Sequence, residues 1–254
     1  MQEERGWRDE QYIWGIIFNE KEDMMRSVIV AGLVFGVVVQ GGFGEGLRED
    51  FASLDAWEPL TFPKVEAHTS YSVVEMEGNS VVKAEADASA SGLVHRETFN
   101  PYETPVLRFR WRADNVLEKG DATRKAGDDY PIRVYVFFPY DPDAVGWRMR
   151  AQYGIARRLY GEYPPHSALN YIWANRPHEK RILDSPYTSR SQMVILQAGK
   201  ERLGEWIEEE VNILEDYRKA FGEDPPKEGR LAIMSDADDT GEKAVGYIDW
   251  IELK

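Results

Sequence analysis

The chain has 254 residues, a formal net charge of −14 at pH 7 and no cysteine. That charge excludes a binder of nucleic-acid backbones, which needs a cationic footprint. The missing thiols exclude disulfides, thiolate metal sites and cysteine nucleophiles. Hydrophobic residues at 43% and charged ones at 30% belong to a folded chain long enough for one large core.

The N-terminus reads as an export signal. Arg26 precedes an apolar run of twelve residues, 28–39, and small residues follow at Gly41, Gly42 and Gly44. A bilayer span needs about 20 residues, so the run matches the apolar region of a secretory signal instead. The expectation is a signal peptide over 24–44, a true start at Met24 or Met25, and residues 1–23 as an upstream extension. The rival reading is a short buried element of a cytosolic chain. With no cysteine after the run, a lipoprotein anchor has no attachment point. The expected location is the periplasm or the exterior, with no stable membrane anchor after cleavage. Residues 1–44 carry four basic and seven acidic side chains, so a mature chain from residue 45 keeps a charge of −11.

From Trp57 onward, short period-two segments follow one another between clusters of Gly, Pro, Asn and Asp. Strands are expected over 57–62, 69–76, 80–86, 92–98, 106–113, 132–138, 169–174, 192–198, 205–213, 230–234 and 244–253. Glu77, Gly78 and Asn79 form the turn between the second and third. Two stretches have helical spacing: 144–160, and 213–221 stopped by Gly222 and Pro225-Pro226. The pattern predicts one all-β domain over 45–254, a jelly-roll or galactose-binding-like β-sandwich with two inserted helices.

Strand alternation nominates a ligand site. In 106–113, Arg108, Arg110 and Arg112 share one face, opposite Leu107, Phe109 and Trp111. In 132–138, Arg133, Tyr135 and Phe137 share a face. If the arginine faces coincide, Arg110, Arg112, Arg133 and Tyr135 form a surface that Tyr171 and Trp173 could join. Guanidinium forks suit carboxylate or sulfate and flat rings suit sugar faces, so this cleft would bind an acidic glycan. The plainer alternative is a solvated sheet face whose arginines pair with surface carboxylates. Trp57, Trp206 and Trp250 read as packing residues, whereas Trp147, Tyr153 and Tyr160 on the first inserted helix could wall a cleft.

Two acidic turns carry the other candidates. Asp236-Ala-Asp238-Asp239-Thr-Gly241 opens like a calcium loop, with hard oxygens followed by a glycine. Tyr247 occupies the twelfth position, where an EF-hand needs a carboxylate. A structural calcium on Asp236, Asp238 and Asp239 remains open if Asp128, Asp129 or Asp249 approaches; the alternative is a turn whose carboxylates cap backbone N–H groups. Asp128 or Asp129 paired with Asp236 or Asp238 could also serve as glycosidase carboxylates, which flank the sugar about 5–10 Å apart. His68, His95, His166 and His178 have no metal spacing. A lyase would recruit Tyr171 with His166 or His178. No nucleophile elbow, P-loop or dinucleotide fingerprint is present.

Several segments recur in a familiar order. They are Gly127-Asp-Asp-Tyr-Pro-Ile-Arg-Val-Tyr-Val-Phe-Phe138, Asn170-Tyr-Ile-Trp173, Ser185-Pro-Tyr-Thr188, Asp216-Tyr-Arg with Phe221-Gly222, Met234-Ser-Asp-Ala-Asp-Asp-Thr-Gly241 and Tyr247-Ile-Asp-Trp250. Over roughly residues 50–254 the chain resembles domain-of-unknown-function family 3047, a bacterial family. The resemblance implies export and assigns no activity. The strand plan is also similar to galactose-binding-like and other carbohydrate-binding sandwiches, a likeness of architecture alone. Three functions follow as expectations: a carbohydrate-binding protein, a glycoside hydrolase or polysaccharide lyase, and a structural envelope protein without a small ligand.

Overall fold

The computed structural model describes residues 46–62, 65–141 and 165–254. The signal peptide expected at 24–44 and the inserted helix expected at 144–160 lie outside these residues. The strands are β1 (Arg48–Glu49), β2 (Trp57–Leu60), β3 (Ser70–Met76), β4 (Asn79–Asp87), β5 (Ala90–Phe99), β6 (Val106–Ala113), β7 (Arg133–Phe138), β8 (Ser167–Ala174), β9 (Ile182–Asp184), β10 (Ser191–Ala198), β11 (Ile207–Asn212), β12 (Gly229–Asp236) and β13 (Lys243–Leu253). Among the described residues one α-helix, α1 (Ile213–Phe221), follows β11 directly.

The strands build the two sheets of a jelly-roll sandwich. One runs β11-β6-β13-β4-β3, with β1 beside the end of β13; the other runs β2-β5-β12-β7-β8-β10-β9. Every pairing is antiparallel except β8 with β10. The core lies between the sheets. Leu107, Phe109 and Trp111 of β6 meet Val134, Val136, Tyr171 and Trp173 of the seven-stranded sheet. Trp111 and Trp173 approach with ring centroids 5.8 Å apart. At one end β13 runs close beneath the opposite sheet: a Cβ added to Gly246 would lie 2.5 Å from the Pro131 carbonyl oxygen and 2.6 Å from the Ile132 Cβ.

The central strands of the seven-stranded sheet are buried on both faces. Every residue of β7 and β8 is buried. The outer face packs under Phe62 and Val65 at one side and under Ala122 and Tyr130 at the other. Double burial explains the continuous apolar character of these strands, in contrast to the clean alternation of β6, which is covered on one side only.

Helix α1 has the expected boundaries. The Asn212 side chain accepts from the Glu215 N–H at 3.0 Å, and Gly222 closes the helix at φ 71. Tyr217 anchors it in the core. Among the described residues no helix is long and apolar enough to cross a membrane.

Candidate functional site

The site grows from the meeting of the two acidic turns at one end of the seven-stranded sheet. β12 extends two residues beyond its expected end and brings Asp236 beside β7. The Asp236 N–H donates to the Tyr130 carbonyl at 3.2 Å, and the Tyr130 N–H donates to the Asp236 carboxylate at 3.0 Å. The second Asp236 oxygen takes the Arg133 guanidinium. Arg133 in turn lies between two rings, 4.9 Å from the Tyr130 centroid and 5.3 Å from that of Tyr135.

Asp129 locks the opposite side of the junction. Its carboxylate accepts the N–H groups of Thr240 at 2.6 Å and Asp239 at 3.4 Å. Its carbonyl accepts from the Asn175 amide at 2.6 Å, and the same amide's oxygen accepts the Leu117 N–H at 2.8 Å. Asp129 thus caps the 236–241 turn from the other turn, while within 236–241 the capping expected as the alternative to calcium is made by Asp236 on the Tyr130 N–H.

Burial works against these charges. It pushes the Asp128 carboxyl up to about 7, although Arg133 and the Tyr130 hydroxyl, 2.9 Å away, pull the other way. It pushes Asp129 up to about 6 against the hydrogen bonds from Thr240. Asp236 is driven well above its ordinary range by burial, with Arg133 as the opposing force.

The four carboxylates singled out from the sequence, Asp128, Asp129, Asp236 and Asp238, thus belong to one cluster. Oxygens of Asp129, Asp236 and Asp238 lie within 4.8 Å of one another. Asp239, expected as a third calcium ligand, instead accepts the Tyr187 hydroxyl at 2.5 Å, and Asp129 takes its place in the trio. Asp249 is remote from the cluster, bound to Arg110 and Asn79 on the other sheet. Calcium takes oxygen ligands at about 2.3–2.6 Å, so donors across one ion lie up to about 5 Å apart. The trio fits that limit and that donor chemistry.

The arginine cleft is not assembled. Arg110 and Arg112 lie on the outer face of the six-stranded sheet, whereas Arg133 and Tyr135 lie on the outer face of the seven-stranded sheet. Tyr171 and Trp173 point between the sheets and are fully buried in the core. Alternation separates the two faces of a strand but does not say which sheet the strand joins. Arg110 pairs with Asp249 and stacks on Trp206; Arg112 pairs with Asp114 at 2.7 Å and stacks on Tyr247. For these two arginines the plainer reading, paired cations on a sheet face, is the correct one. Tyr171's position also removes it as a lyase acid or base.

The structure adds Asn170, which the sequence reading passed over in favour of its neighbours. Asn170 pairs in register with Tyr135 and is 1% exposed. Its Oδ1 and the Nε of Arg133 are buried without a hydrogen-bond partner among the described residues. Asn170 and Arg133 occupy the same outer face, on adjacent strands. The one available signal was an amide side chain inside the otherwise apolar run 169–174.

Fold and site together define a two-sheet jelly-roll sandwich with a buried acidic junction built around one arginine. The chain belongs to the DUF3047 family, described as a protein of unknown function, whose family model matches residues 55–252. No curated protein matches it. Among solved structures it is similar to the family 11 carbohydrate-binding module of the cellulosomal cellulase Lic26A-Cel5E of Clostridium thermocellum, with 9% identity, 84% of this chain and 95% of that one covered, and a TM-score of 0.41. It is also similar to lectin I-B4 of Griffonia simplicifolia in its metal-free form, at 9% identity, 83% and 99% coverage and a TM-score of 0.35. A third is the family GH12 endoglucanase 3 of Trichoderma harzianum, at 8% identity, 84% and 99% coverage and a TM-score of 0.34.

Proposed function

We propose that the protein is an exported carbohydrate-binding protein whose sugar seat is the outer face of the seven-stranded sheet at Arg133, Tyr135 and Asn170. One observation carries the reading. Among the described residues, a guanidinium donor and an amide acceptor are left without partners on the face that also holds the Tyr135 ring. Buried polar groups are rarely left unsatisfied, and a sugar hydroxyl both donates and accepts. Both atoms are buried, so a ligand enters only as the covering segments part, and association is slower than for an open cleft. The charge of the site selects the ligand. Asp128 and Asp236 flank one guanidinium that Asp236 already engages, which favours a neutral glycan over the acidic one expected from the sequence. Export rests on the apolar run at 28–39. Calcium on Asp129, Asp236 and Asp238 would tie the two turns together beside this seat.

Calorimetric titration with neutral and acidic oligosaccharides tests the binding reading. Binding of a neutral oligosaccharide, weakened at least tenfold by Asn170→Ala, is the expected result. A folded protein that binds no sugar, or binds equally well without Asn170, overturns it. Mass spectrometry of the N-terminus recovered from cells tests export; an unprocessed chain in the cytosol contradicts it.

A second reading is favoured by the Asp128 carboxyl, which burial raises to about 7. A carboxylic acid still protonated near neutral pH is what a glycosidase uses to protonate its leaving group. This reading requires release of reducing sugar that Asp128→Asn abolishes while sugar affinity is retained.

A further inference from the structure

We propose that β3 is a self-pairing edge through which two copies of this chain join their six-stranded sheets across a two-fold axis at Val73. β3 ends its sheet and pairs only with β4, without a bulge. The Glu77–Gly78 turn has positive φ at both residues, 54 and 89, as in a two-residue hairpin closed by a hydrogen-bonded pair. That closing pair is Met76 with Asn79. Hydrogen bonding therefore alternates along the hairpin: residues 70, 72, 74 and 76 bond to β4, while Tyr71, Val73 and Glu75 aim their N–H and C=O groups outward. Those outward groups have no backbone partner among the described residues.

The occupant follows from the symmetry of this set. An antiparallel copy centred on Val73 places Val73 opposite its counterpart and Tyr71 opposite Glu75, so all three outward residues meet outward residues. The single charge of the strand, Glu75, then faces a tyrosine and not its own copy. Other edges carry features that block such pairing. β11 has Glu208, Glu209 and Glu210 in succession, β2 contains Pro59 and β9 is three residues long. β3 has no lysine, arginine or proline over seven residues. The strand is also held in place: the Tyr71 hydroxyl donates to the Ser91 carbonyl at 2.6 Å and accepts the Ser235 N–H at 3.0 Å on the opposite sheet. One strand pair makes a small interface, and the net charge of −14 on each copy opposes association. The dimer is therefore concentration-dependent and strengthened by salt.

Sedimentation velocity of the full chain over a concentration series, at low and high salt, is the first measurement. A monomer–dimer equilibrium that salt shifts towards dimer is expected. Val73→Pro should abolish it with little change in melting temperature, because the lost N–H points away from β4. The chain has no cysteine, so Val73→Cys supplies a unique thiol. Residues paired across hydrogen bonds have Cα atoms about 5.5 Å apart, within disulfide range. Oxidation should link Val73→Cys into a dimer and leave Ser72→Cys unlinked. A chain monomeric at every concentration whose Val73→Cys form does not link overturns the proposal. So does a dimer that Val73→Pro leaves intact.

Discussion

Arg133 and Asp236 form an ion pair inside the protein, each side chain 4% exposed, with the guanidinium bracketed by Tyr130 and Tyr135. Removing either partner leaves the other charge buried and uncompensated, which costs about 3–5 kcal/mol. Asp236→Asn and Arg133→Met should each lower the unfolding free energy by that amount, read as a lower urea midpoint. The double variant should recover part of the loss. Recovery stays incomplete because Arg133→Met also gives up the guanidinium's contacts with the Tyr130 and Tyr135 rings.

The buried carboxyls give stability an unusual pH dependence. Asp128 and Asp129 have folded-state values of about 7 and about 6, above the 3.8 of a free aspartate. Their contribution is complete below about pH 4 and is lost as pH rises through 6 to 7. In buffer containing a chelator, the melting temperature should fall between pH 5 and pH 8. Asp128→Asn should flatten the upper part of that decline.

Calcium should act in the opposite direction at neutral pH. A cation on Asp129, Asp236 and Asp238 stabilises the ionised carboxylates, so millimolar calcium should raise the melting temperature at pH 7.5 and EDTA should reverse the rise. At 100 times its dissociation constant the gain is about 2.7 kcal/mol. Asp238→Asn alters the one exposed member of the trio and should abolish the shift with little effect on the metal-free protein. No shift with calcium would rule out a cation on this trio.

Gly246 marks a close approach of β13 to the segment that leads into β7. Its added Cβ would meet backbone oxygen at Pro131 and the branch point of Ile132, neither of which can swing aside. Gly246→Ala should cost about 1–3 kcal/mol through overpacking, read as a lower denaturant midpoint.

Glu77 sits at φ 54, where an L-residue with a long side chain is strained and asparagine is tolerated. Glu77→Asn should stabilise the hairpin by up to about 1 kcal/mol, read in the same unfolding experiment. Its ion pair with Arg110, at 4.0 Å and half in solvent, offers little to lose.

The local content of this protein was legible in the chain. Helix α1 carries its own boundary signals at Asn212 and Gly222, and the β3–β4 hairpin its turn at Glu77 and Gly78. The alternation of β6 gave the side of every residue from Leu107 to Arg112. The two acidic turns are conspicuous in the chain because carboxylates gather there beside a proline or a glycine. What alternation left open was partnership across distance. Arg110 and Arg133 both read as outward-facing arginines, yet β13 and β11 claim the first strand while β12 and β8 claim the second. Asn170 was hidden for a related reason: β8 is covered on both faces, so its polar member has no periodic contrast to announce it. Hydrophobic period and turn chemistry are properties of neighbouring residues, and the sequence determined them. The meeting of Asp129 with Thr240 and the burial of Arg133 against Asp236 join residues more than a hundred positions apart, and the assignment of strands to sheets is likewise a matter of distant partners. Only the tertiary packing decided those.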